Sequence, residues 1–494
     1  MKDRKTFSLL VLIILLGAFL RFHSIGKESF WLDEGYTALA IKKFDVNSLI
    51  RNSVERGQII PDDRYSYNSE VPAYFILLES WSKVFGISEF SLRSFSAMFG
   101  VLSLIAVFYL ANYLFDKKIA LISTLLASIN LTLIYYSQEA RNYSYLLFLS
   151  LISIILLLKS LKDGKIKHIV GLVVVNALII YSHLPWMIFM VFEGIYVLYV
   201  IYNEYSNKKK INAKNVNILI AFFIMALLYM PMAGRILFSK DNMTAYAPKV
   251  DLRGIAELGI RLSVWLYPSE AMRQKIYDHS FSFSLFEWLL LGSTLLLALI
   301  LCLLFLFGIT KVFYKKVSAK FLILMFLFPL LFSVVFTLIN PRLGIFNIKQ
   351  VIYIIPAFVI ISSVGISKIK KFKALIAIII ILSLLPLYSY YHNVDKQQFR
   401  EAVSFFPDNE TVFITKESAT KPVRYYYGEK KNVIGIFGLD DLKDYLKDED
   451  KFWVLFTFTK YSDPEGKISD YLGKNYKIIE KKQLFDIELV HYKK

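Results

Sequence analysis

The sequence predicts a polytopic α-helical membrane protein with about eleven transmembrane helices and a small C-terminal α/β domain outside the membrane. Three observations predict it. Hydrophobic residues make up 56% of the 494. They fall into runs of roughly 17–25, the length a helix needs to cross about 30 Å of hydrocarbon. Lysine and arginine collect in the short gaps between those runs, and from His392 onward the apolar runs give way to short alternating segments.

The gaps set the topology. Basic residues cluster at 2–5, 116–118, 159–168, 203–214, 311–320 and 368–373, with 21 basic side chains against four acids, a net of +17. The whole chain carries +18, so the rest is close to neutral. In a soluble protein such an excess would suggest nucleic acid. Its confinement to short gaps between apolar runs is the positive-inside pattern, and no nucleic-acid partner is needed to explain it. With all six clusters in the cytoplasm, the first span is about 7–24, read as a retained anchor because no small-residue cleavage site follows it. Spans at about 92–115, 119–136, 142–158, 169–183, 186–202 and 216–233 come next, then 284–310, 321–339, 348–366 and 374–391. This puts the N-terminus inside, the C-terminus outside, and the protein in the cell membrane as a multi-pass chain.

The stretch 71–87 is apolar but carries Glu79, Ser80 and Lys83. A crossing there would move every later lysine cluster to the outer side. It therefore reads as an interfacial helix within the first outer loop, 25–91, a marginal span being the alternative. The sole cysteine, Cys302, lies inside an apolar run, which leaves neither a disulfide nor a cysteine metal cage. Two domains result, a membrane domain over 1–391 and a tail over 392–494. In the tail, 411–415, 432–437 and 452–458 read as buried strands, and 395–406, 419–427 and 438–447 have helical spacing. Alternation of this kind suggests a mainly parallel sheet. The tail has no glycine-rich phosphate loop, so recognition or packing is its expected role.

Two clusters could carry chemistry. Just beyond the first span comes Trp31-Leu32-Asp33-Glu34-Gly35-Tyr36-Thr37, with two adjacent carboxylates between aromatic rings. An aromatic belt with solvated acids at a helix start would produce the same pattern. The second cluster is Ser137-Gln138-Glu139-Ala140-Arg141-Asn142-Tyr143, two charges between apolar helices with almost no loop to solvate them. Such charges face a polar cavity or each other. Outer-face candidates also include Glu70 before Pro72, His183 beside Pro185 and Trp186, and Arg342 and Lys349 flanking the tenth span, though snorkelling cations look alike.

Taken together, these motifs resemble the GT-C type of membrane glycosyltransferase. Trp31–Thr37 is similar to the first-loop stretch that holds the catalytic aspartate in that class, with Asp33 in its position. Ser137–Tyr143 is similar to the second motif of the subgroup containing protein O-mannosyltransferases and lipid A aminoarabinose transferases. The chain departs from the subgroup at Glu70-Val71-Pro72, where His-Pro-Pro or Lys-Pro-Pro is common, and has no clear counterpart of the second-motif aspartate. The resemblance covers roughly 1–390. It implies transfer of a sugar from a polyprenyl-phosphate donor to a glycan, lipid or protein acceptor at the outer face, among membrane lipids. Asp33 would be the base, and Glu34 would position it or hold a sugar hydroxyl. Arg141 and Lys349 would neutralise the departing phosphate. Trp31 and Tyr36 offer flat faces for a sugar ring, while Glu70, Glu139, Tyr143, His183 and Arg342 complete the candidate substrate-binding set. No cofactor is implied with certainty, and a divalent metal stays open. The alternative is a transporter or lipid-linked-sugar flippase. It would carry charges or broken helices near the midplane of several spans.

Overall fold

The structure, a computed structural model, describes the chain except for residues 1, 62–70, 210, 238–249, 265–271, 273–274, 276–281, 314–316, 340–345, 407–409 and 429–431. Two compact units divide it. One comprises Met1–His23, Ile50–Leu77 and Ser94–His392, and the other Ser24–Leu49, Leu78–Arg93 and Asn393–Lys494. Two pieces of the segment between the first two predicted spans thus fall in the same unit as the tail.

The first unit is helical and membrane-embedded. Among the described residues, eight helices are long and apolar enough to cross a membrane, or nine if one bent pair forms a single span. The two other predicted spans are the shorter apolar helices Ile166–Ile180 and Ile354–Ser367. The stretch 71–87 forms helix Ala73–Phe85 of 13 residues, about 20 Å long and short of a crossing.

Small residues let the helices approach. A methyl group at Gly308 would strike the carbonyl of Ile361, and one at Gly365 the carbonyl of Leu304. Helices Leu285–Phe313 and Ile354–Ser367 therefore pack backbone to backbone. Helices Lys117–Ile129 and Leu131–Ser137 meet at a 60° bend. Asn130 turns the corner there, its side chain accepting from Leu133 N at 3.0 Å and donating to Leu262 O at 3.0 Å. Arg21 donates to the freed carbonyls of Ser128 and Ala127 at 3.2 Å each. Groups orphaned by a broken helix must find such partners where no water can reach.

The second unit is built on a five-stranded sheet with order β2-β1-β3-β5-β4. The strands are β1 Thr411–Ile414, β2 Val433–Gly435, β3 Lys451–Thr457, β4 Lys477–Leu484 and β5 Ile487–Lys493. β1 runs parallel to both β2 and β3, as the alternation predicts. The C-terminal hairpin does not follow that prediction, since β5 pairs antiparallel with β3 and β4 antiparallel with β5. The sheet is therefore mixed. β4 is largely exposed at the sheet edge and rich in lysine, so its sequence lacks the apolar alternation that marks a buried strand. One face of the sheet packs Phe399, Val423 and Leu455 with Leu32 from the first loop. The other packs Phe452, Leu442 and Leu472.

Candidate active site

The first motif opens a helix. Helix Leu32–Lys43 starts beside Trp31, whose extended backbone (φ −81°, ψ 178°) precedes its first turn. Asp33 and Glu34 occupy that turn, where carboxylates oppose the positive end of the helix dipole. Neighbours on a helix point ~100° apart, so the two acids meet different surroundings. Asp33, Trp31 and Tyr36 are half-buried, whereas Glu34 is fully buried.

Glu34 is held by two cations. Arg93 grips its carboxylate in bidentate fashion, Nε to Oε1 at 2.8 Å and Nη2 to Oε2 at 2.7 Å. Lys396 Nζ donates to the same Oε2 at 3.1 Å. The remaining donors of Arg93 reach the carbonyls of Ile25 (2.9 Å), Glu28 (2.8 Å) and Ser29 (3.0 Å). All five N–H groups of the guanidinium are thus engaged, and its carbon lies 5.2 Å from the centre of the Phe30 ring. A sealed carboxylate whose oxygens serve two cations has no surface for a sugar hydroxyl. Of the two roles the sequence leaves open for Glu34, this burial favours positioning the turn that carries Asp33.

Tail residues complete this setting. Phe30 N donates to the Tyr426 hydroxyl at 2.7 Å, and that hydroxyl donates to Glu89 Oε1 at 2.8 Å. Burial and the nearby Glu89 hold the Tyr426 phenol well above its ordinary range, so it remains a donor. Gly35 lies so close to Pro422 that any side chain there would collide with the ring.

The second motif lies in the helical unit. The turn 138–142 joins helices Leu131–Ser137 and Tyr143–Asp163. Gln138 Nε2 donates to the carbonyls of Leu20 (3.3 Å), Arg21 (3.1 Å) and His23 (2.8 Å), fastening the turn to the end of the first helix. Tyr390 donates to its Oε1 at 2.8 Å. Glu139 is buried and Arg141 half-buried, the Arg141 carbonyl accepting from Ser96 Oγ at 3.0 Å. Asn142 Nδ2 donates to Ser182 O at 2.9 Å. Tyr143 meets Tyr136 edge-on at 5.1 Å and His183 at 6.5 Å. His183 pairs with Gln350 Oε1 at 2.9 Å, and the charges of Arg141 and Lys349 both bear on its ring.

The structure thus brings Glu139, Arg141, Tyr143, His183 and Lys349 into one neighbourhood within this unit. Trp31, Asp33, Glu34 and Tyr36 form another within the second. Glu70 and Arg342 lie outside the described residues. Sequence reasoning misses Arg93, Lys396 and Gln350. Arg93 had a signal, as a lone arginine at the end of an apolar run is costly without a partner. Among the described residues, no group of three or more His, Cys, Asp or Glu side chains is close enough to hold a metal ion.

The described residues form a polytopic α-helical membrane protein, and one third of the chain matches a known family. Residues 69–233, about a third of the chain, match the family model described as dolichyl-phosphate-mannose-protein mannosyltransferase. That match contains Ser137–Tyr143 and begins beyond Trp31–Thr37. Among solved structures, the apo oligosaccharyltransferase of Archaeoglobus fulgidus is similar over 92% of this chain and 70% of its own, with 12% identity and a TM-score of 0.52. The oligosaccharyltransferase AglB from the same organism, in complex with an inhibitory peptide and a dolichol-phosphate, is similar over 93% and 70%, with 14% identity and a TM-score of 0.49. ArnT from Cupriavidus metallidurans in the apo state is similar over 98% of both chains, with 9% identity and a TM-score of 0.48. At such identities the likeness is one of fold. No curated protein matches the chain.

Proposed function

We propose that the protein transfers a sugar from a polyprenyl-phosphate donor to an acceptor hydroxyl at the outer face of the cell membrane, with Asp33 as the base. The observation that carries this reading is the first turn of helix Leu32–Lys43, where Glu34 is locked by Arg93 while adjacent Asp33 stays half-buried. Asp33 takes the proton of the acceptor hydroxyl as its oxygen attacks the anomeric carbon. The bond from that carbon to the phosphate oxygen breaks, and the polyprenyl phosphate departs with the electron pair. A single displacement inverts the anomeric centre. Arg141 and Lys349 neutralise the phosphate, arginine through its two-pronged fork. Trp31 and Tyr36 border the sugar, and Glu139, Tyr143 and His183 shape the phosphate end. The lysine-rich gaps support a cytoplasmic N-terminus and a tail outside, the side on which a lipid-linked donor replaces nucleotide sugars. The matched family's description favours a mannosyl donor on dolichyl phosphate and a protein acceptor, and glycan or lipid acceptors share the same hydroxyl chemistry.

The test is a panel of radiolabelled polyprenyl-phosphate sugars offered to the purified chain. Asp33→Asn preserves shape and removes basicity, so donor binding persists while transfer falls by about 10²–10⁴-fold. Near-wild-type transfer by a folded Asp33→Asn protein would overturn the assignment.

A further inference from the structure

We propose that Lys396, four residues past the last membrane helix, is a positioning residue for Asp33 that acts through Glu34 and keeps the first loop in register with the tail. This rests on the reading of Asp33 as the base.

Arg93 and Glu34 already form a neutral bidentate pair, so charge balance at Glu34 needs no second cation. Lys396 is nonetheless inserted beside it, its side chain 4% exposed, sharing Oε2 with Arg93. Burying an ammonium carries a heavy desolvation cost, which is offset only by close pairing with a carboxylate. What a buried lysine supplies is a fixed point, because its charge is satisfied only where a carboxylate oxygen meets it. In the other direction, Glu28 Oε1 accepts the main-chain N–H groups of Asp395 (2.7 Å) and Lys396 (3.3 Å). Loop and tail thus exchange contacts in both directions, a loop acid holding the tail backbone and a tail cation holding a loop acid.

The same segment is fastened at neighbouring points. Ser29 Oγ donates to Gln397 O at 2.5 Å, Phe30 N to Tyr426, and Gly35 abuts Pro422. Asp33 lies between these fixed residues on a rigid first helical turn. A displacement of the Glu34 side would therefore rotate the Asp33 carboxylate with it. Misplacing a catalytic group by ~1 Å costs about 10²-fold in rate.

Two variants of the full chain test this. Lys396→Met keeps the length and removes the charge, and Lys396→Arg keeps the charge. With dolichyl-phosphate mannose as donor, Lys396→Met should lower kcat by about 10–100-fold while donor KM stays near wild type. Lys396→Arg should recover part of that loss. Hydrogen exchange across 25–36 should quicken in Lys396→Met, with the β1–β5 sheet unchanged, an arm that needs no donor. Unchanged exchange across 25–36 would overturn the proposal, and so would unchanged kcat per folded molecule. If Asp33→Asn stays active, the base assignment fails on its own account. The exchange arm then still reports whether Lys396 holds the loop.

Discussion

Replacing Arg93 with methionine isolates what the buried lock contributes. The variant keeps an unbranched apolar stem and loses the guanidinium, so Glu34 loses both bidentate contacts and keeps Lys396 at 3.1 Å. The carbonyls of Ile25, Glu28 and Ser29 lose donors at 2.8–3.0 Å in the same step. Removing one partner of a buried ion pair costs about 3–5 kcal/mol when the other charge is stranded, and Lys396 at 3.1 Å holds this case to the lower end. Each abandoned carbonyl adds about 1–3 kcal/mol if it stays dry. These terms share one side chain and do not add. The expected loss is therefore about 3 kcal/mol, from the weakened pair at Glu34 together with the carbonyls left without donors. Glu34→Gln alone should cost a similar amount, since an amide nitrogen facing Arg93 and Lys396 sets donor against donor. The double variant Glu34→Met, Arg93→Met removes both charges and should lose less than the sum of the singles, leaving Lys396 as the residual cost. Denaturation of the full chain in detergent, with hydrogen exchange read across helix Leu32–Lys43, measures the cycle. A loss below about 1 kcal/mol for Arg93→Met would refute the reasoning, since that is the ordinary weight of an exposed ion pair.

Further outcomes follow from other parts of the molecule. If Arg141 neutralises a lipid phosphate, Arg141→Lys keeps partial transfer, while Arg141→Ala loses nearly all of it at unchanged melting temperature; a lowered melting temperature with transfer per folded molecule intact would make its role structural. Glu193 is fully buried among membrane helices, accepting from Ser153 Oγ at 2.7 Å and Asn176 Nδ2 at 3.1 Å. Glu193→Leu strands the buried Ser153 hydroxyl at about 1–3 kcal/mol, Asn176 Nδ2 keeping Ser153 Oγ (2.8 Å) and Leu172 O (3.1 Å), whereas Glu193→Gln keeps an acceptor oxygen and should melt closer to wild type. For topology, in a Cys302→Ser background, Lys167→Cys and Asn207→Cys should resist a membrane-impermeant thiol reagent in intact cells, and Glu465→Cys and Lys474→Cys should react; labelling of the first pair would reverse the orientation.

Much of the helical unit is legible in the chain, because a bilayer imposes one length and one polarity on anything that crosses it. That is why the apolar runs correspond to helices, two of which, Ile166–Ile180 and Ile354–Ser367, fall short of a full crossing length. The Trp31–Thr37 and Ser137–Tyr143 motifs stand out for the same reason, since charges beside membrane segments are conspicuous. The parallel strands β1, β2 and β3 carry buried alternation and could be read. β4 could not, because an exposed lysine-rich edge strand owes its place to pairing with β5 and not to its own pattern.

The division of labour between the two carboxylates belongs to tertiary structure. Asp33 and Glu34 are adjacent and chemically alike, and local sequence offers no means of telling which is sealed. The answer comes from Arg93, 59 residues away, and Lys396, 362 residues away. Likewise, the first loop reads as part of the membrane domain, yet Ser24–Leu49 and Leu78–Arg93 fold with the tail. Composition and periodicity report how each segment meets its solvent, lipid or water. Which distant charge a buried carboxylate meets depends on how the segments are brought together, and that information lies in the packing.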